Sequence, residues 1–134
     1  MALALDLPVT QMTRSVREWN AAGTLGGTLP ADYSPEAYPH QARALIVVSF
    51  AGAEAEIRAT GRVDLAGSRS DLEDAFETAD ALANDGALAL LRECQAEARR
   101  IVGDRWAAIE AIAAALIENA NPWLNEDELR WLVL

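Results

Sequence analysis

The sequence predicts a mainly α domain with a minor β part: a bundle of about five helices preceded by a small N-terminal β-hairpin. Three observations carry that expectation. Half of the 134 residues are hydrophobic (51%), and much of that share is alanine, which loses little on entering a helix. Apolar residues recur at three- and four-residue intervals from Pro39 to the end of the chain. Short runs of β-type residues bracketed by glycine and proline are confined to the first thirty or so positions. The length suits one domain over 1–134, with a hairpin and connector in 1–35 and the helical part in 39–134.

The elements follow in order. Val9-Thr10-Gln11-Met12-Thr13 reads as a strand after Pro8, and Gly23 to Leu29 reads as its hairpin partner, with Arg14 to Ala22 looping between them. Pro30 to Pro39 carries three prolines and reads as a connector. A helix from Pro39 to Ala59 then presents Ile46, Phe50, Ala53 and Ile57 on one face. Leu45, Val48, Ser49 and Gly52 form a second face, where Ala51-Gly52-Ala53 would admit another helix closely. Gly61 is positioned to end it.

After a loop over Val63 to Arg69, Ser70 and Glu73 have the spacing of a capping box opening a helix to Ala83, with Leu72, Phe76, Ala79 and Leu82 (or Ala83) inward. Asn84-Asp85-Gly86 breaks it. Ala87 to Val102 follows with Leu91, Cys94, Ala98 and Ile101 on one face; Gly103 reads as a stop and Asp104 as the next N-cap. The fourth helix turns Trp106, Ile109, Ala113 and Leu116 inward and ends at Asn121-Pro122. Asn125, with Glu128 three residues on, caps a short last helix.

Composition narrows the function classes. The formal charge is −10 and every basic residue is arginine, so the surface repels phosphate backbones and anionic lipid; neither nucleic acid nor membrane is an expected partner. The apolar run Ala42–Ala55 is too short to span a bilayer, and the N-terminus lacks the basic region of a signal peptide. A single cysteine, Cys94, fits a reducing, cytoplasmic setting and reads as a buried thiol. His40 is the sole histidine, which leaves the serines without a catalytic partner set. A site from His40, Glu54, Glu56 and Asp71 would be an unusual one-histidine zinc centre. Trp19, Trp123 and Trp131 read as core seals or, where exposed, as interface anchors.

Phe50-Ala51-Gly52-Ala53-Glu54-Ala55-Glu56 at the end of an apolar helix, followed by Gly67-Ser68-Arg69-Ser70-Asp71-Leu72, resembles the peptidase domain of the FtsH-type ATP-dependent zinc metalloproteases and their small stand-alone relatives. The early Leu7-Pro8-Val9-Thr10 and Gly23-Thr24-Leu25-Gly26 segments and the tail Glu97 to Leu134 are similar as well, so the resemblance spans nearly the whole chain. It implies that Asp71 stands where the family has its third zinc ligand. The family's other ligands and its general base come from a His-Glu-x-x-His helix, which is not in this sequence and would lie upstream of residue 1. No phosphate-binding Gly-x-x-x-x-Gly-Lys loop is present either.

The expectation is therefore a peptidase-like domain that as given binds no cofactor and acts through a protein partner or self-association. Zinc enters only if the missing motif is supplied. Two alternatives stand beside it: a fragment of an active zinc endopeptidase, and an acidic inhibitor or decoy. Read without the resemblance, Asp71 is a carboxylate in a first helical turn, favoured there by the helix dipole.

Overall fold

The computed structural model describes residues 11–13, 30–118 and 123–133. The described part is mainly helical. Its elements are β1 (Gln11–Thr13), α1 (Pro39–Thr60), α2 (Arg69–Ala83), a 3-10 turn at Asn84–Gly86, α3 (Ala87–Asp104), α4 (Trp106–Glu118), β2 (Trp123–Asn125) and α5 (Glu126–Val133). No helix among the described residues is long and apolar enough to cross a membrane.

Helix α1 starts with Pro39 in its first turn, where the missing N–H costs nothing. It ends at Gly61, whose φ of 80° is left-handed and whose N–H donates to the Ile57 carbonyl at 2.8 Å. Only a residue without Cβ adopts that conformation freely. The buried line of α1 is Ala42, Ile46, Val47, Phe50 and Glu54. This corrects the expected face: Ile57 is exposed, and Glu54 takes the position one turn beyond Phe50. Gly52 is exposed with no atom within 4 Å of an added Cβ, so the expected close helix approach at Ala51-Gly52-Ala53 does not occur there.

The loop into α2 winds earlier than the capping-box spacing implies. Asp64 accepts from the Ala66 N–H with Oδ1 at 3.0 Å and from the Ser68 N–H with its carbonyl at 3.1 Å, while its own N–H donates to Glu56 on α1. Ser68 is consequently the N-cap and Arg69 the first helical residue. Glu73 is then taken by Arg69, whose Nε donates to Oε1 at 3.0 Å, instead of reaching back to Ser70. Ala75 and Ala79 are the buried residues of α2. Leu72 and Leu82 are half-buried against the core, but Phe76, expected inward, is 52% exposed.

Helix α3 matches its expected face: Leu91, Cys94, Ala98 and Ile101 are all buried, joined by Ala87 and Val102. The helix runs through Gly103 to Asp104, so Asp104 closes α3 and Arg105 is the junction to α4. Ile46, Val47, Phe50, Ala75, Ala79, Ala87, Leu91, Cys94, Ala98 and Ile101 make one core, drawn among the described residues from α1, α2 and α3.

This replaces the expected five-helix bundle. Among the described residues three helices share the core, and α4 supplies none of its members. Helix α4 is rich in alanine with Glu110 and Glu118 exposed, and of its expected inner face Trp106, Ile109 and Leu116 are half-buried while Ala113 is exposed.

The N-terminal hairpin is corrected too. β1 pairs antiparallel with β2, with Gln11 opposite Asn125, Met12 opposite Leu124 and Thr13 opposite Trp123. The strand closes on the far end of the chain rather than on the following segment. The expected second strand, Gly23 to Leu29, lies outside the described residues. Leu124 is buried, which gives the pairing an apolar anchor. At the start of α5 the capping box is present in full. Glu128 N–H donates to Asn125 Oδ1 at 2.9 Å, and Asn125 N–H donates to Glu128 Oε2 at 2.8 Å.

Candidate functional site

Two polar features stand out from this scaffold: the first turn of α2, which carries Asp71, and a charged seam between α1 and α3. Asp71 lies four residues before Ala75, seven before Thr78 and eleven before Leu82, so it continues the edge of the buried α2 face beyond the last core residue. It is itself exposed. Partial desolvation, with the Asp74 carboxylate beside it, holds its carboxyl above the ordinary aspartate value. These two effects outweigh the attraction of the helix N-terminus, which acts in the opposite sense.

That shift has a consequence for stability. A folded-state pKa above the unfolded one means that the native chain holds the proton longer. Asp71 therefore makes unfolding easier as pH rises through the carboxylate range, and at neutral pH its charge is a small net cost. Asp71→Asn is expected to leave stability at pH 7 within about 0.5 kcal/mol of the parent, or slightly higher. It should also flatten the pH dependence just above the unfolded aspartate pKa. Urea unfolding at a series of pH values checks this, and a clear loss of stability at pH 7 would contradict it.

The seam between α1 and α3 is the better-built feature. Glu54 is 4% exposed and accepts three hydrogen bonds: Arg99 Nε to Oε2 at 3.0 Å, Arg99 Nη2 to Oε1 at 3.3 Å and Gln95 Nε2 to Oε1 at 3.3 Å. Both carboxylate oxygens are satisfied, and the fork of Arg99 meets them side by side. Arg43, near the start of α1, donates to Glu97 on α3. Those bonds hold the guanidiniums of Arg43 and Arg99 above the usual arginine value. Farther along, Arg58 lies over the Trp106 ring, 5.1 Å from its centroid, and ties the end of α1 to the start of α4. Cys94 lies fully buried in the core, and burial first of all pushes its thiol up despite Arg43 nearby, which makes it a poor nucleophile. Glu54 and its partners were not foreseen as a unit. The signal available in the sequence was its spacing, since Ala42, Ile46, Phe50 and Glu54 advance by exact turns of four.

The residues weighed as a metal site do not meet. His40 is exposed in the first turn of α1, and Glu54 lies fourteen residues on, about 21 Å along the axis. Glu54 is engaged by Arg99, and Glu56 accepts from the Asp64 N–H at 3.1 Å. Among the described residues, no group of three or more His, Cys, Asp and Glu could hold a metal ion. The donor set of the whole chain, with one histidine and one cysteine, does not fit the zinc centre that the resemblance implies. Of the proposed interface tryptophans, Trp131 is 82% exposed on α5. Trp123 is described only as β2 backbone, and Trp19 lies outside the described residues.

Helix α4 is the third feature. None of its residues is buried: Trp106, Ile109 and Leu116 are half-buried, Ala113 is exposed, and Ile117 is 73% exposed. A helix apolar at all but two positions, Glu110 and Glu118, ordinarily buries a face, so this surface is out of keeping with its composition. No protein-family model, no curated protein and no solved structure matches the chain.

Proposed function

We propose that this chain is an FtsH-type peptidase-like domain that, as given, is non-catalytic and acts through protein contacts made by its α4–α5 end. The observation that carries the contact reading is α4: apolar but for Glu110 and Glu118, it buries no residue, and Ile117 and, on α5, Trp131 stand in solvent. An apolar surface of this kind is stabilised when another surface covers it, whether a second copy of the chain or a different protein. The kinship half of the proposal rests on the Phe50–Glu56 and Gly67–Leu72 segments, which the fold sets at the end of α1 and the start of α2. The non-catalytic half rests on the donor set, since one histidine cannot supply the pair that a zinc peptidase helix needs.

Purified as given, the chain is expected to retain no stoichiometric zinc and to leave casein intact. Its mass in solution should exceed that of a monomer, and should fall to the monomer's when Ile117 and Trp131 are both changed to serine. Elemental analysis alongside light scattering reads both halves. Zinc that survives dialysis and is lost on Asp71→Ala would overturn the non-catalytic reading. It would favour the second one, in which the chain belongs to a zinc endopeptidase with Asp71 as a ligand and its His-Glu-x-x-His encoded upstream. A metal-free monomer whose behaviour is untouched by the serine changes would overturn the self-association arm of the contact reading.

A further inference from the structure

We draw no further inference here: the strongest candidate, the exposed α4 stripe of Ala107, Ala113, Ala114 and Ile117, belongs to the contact surface already proposed, and nothing in the structure shows what covers it.

Discussion

Phe50→Ala is expected to lower the unfolding free energy by about 3–4 kcal/mol, whereas Phe76→Ala should change it by less than about 1 kcal/mol. Both phenylalanines sit at apolar-periodic positions of long helices, and period alone ranks them equally. The structure separates them. Phe50 is buried in the core with Ile46, Val47 and Leu91, while half of Phe76 faces solvent. Truncating Phe50 removes transfer free energy and leaves a cavity that rigid helices refill only in part. Neighbours cannot easily close it, because the buried residues that α2 adds to the same core are Ala75 and Ala79, too short to fill the space. Urea midpoints at unchanged m-value would check the pair. Equal losses at the two positions would mean that α2 is rotated from the orientation described.

The second large effect concerns the seam. Arg99→Ala is expected to destabilise the fold clearly, while Glu54→Met should stay within about 1 kcal/mol of the parent. The asymmetry follows from burial. Arg99 has 68% of its side chain in solvent and can be rehydrated, but Glu54 cannot. Removing the arginine leaves a buried carboxylate with one amide donor, Gln95, at 3.3 Å. Removing the carboxylate in favour of an apolar side chain of similar length leaves nothing uncompensated. In the double variant Glu54→Met/Arg99→Ala most of the loss should be recovered, and a double-mutant cycle on thermal or urea unfolding reads that coupling directly. Additive single effects would show that the two side chains do not act as a unit.

Much of the fold was legible because it is written in local signals. Gly61 as a left-handed terminator, the Asn125/Glu128 capping box and the Leu91–Cys94–Ala98–Ile101 face all depend on residues within one or two turns of each other. What escaped depends on partners far along the chain. β1 finds β2 more than a hundred residues away, and no turn residue announces that pairing. The seam is of the same kind, since Glu54 looks like one more surface acid until Gln95 and Arg99 arrive from another helix. The start of α2 shows a third source of error. Ser70 and Glu73 have correct capping spacing, yet Asp64 begins the winding sooner and Arg69 claims the glutamate. The candidate site was legible only as a position. Asp71 does open α2, but residues that would make it a metal centre are not gathered around it.

The alanines of α2 have one more consequence. A helix whose fully buried side chains are Ala75 and Ala79, with Leu72 and Leu82 only half-buried, gives up less apolar area when it lifts away than α1 or α3, which are clasped to each other by larger buried side chains and by the Glu54–Arg99 fork. The three helices should not open together. Amide hydrogens of α2 are expected to exchange through a partial opening of lower free energy than the one that releases α1 and α3. The segment bearing Asp71 would then be the part of the core whose position is easiest to reset, and native-state hydrogen exchange with a single shared opening energy for all three helices would argue against it.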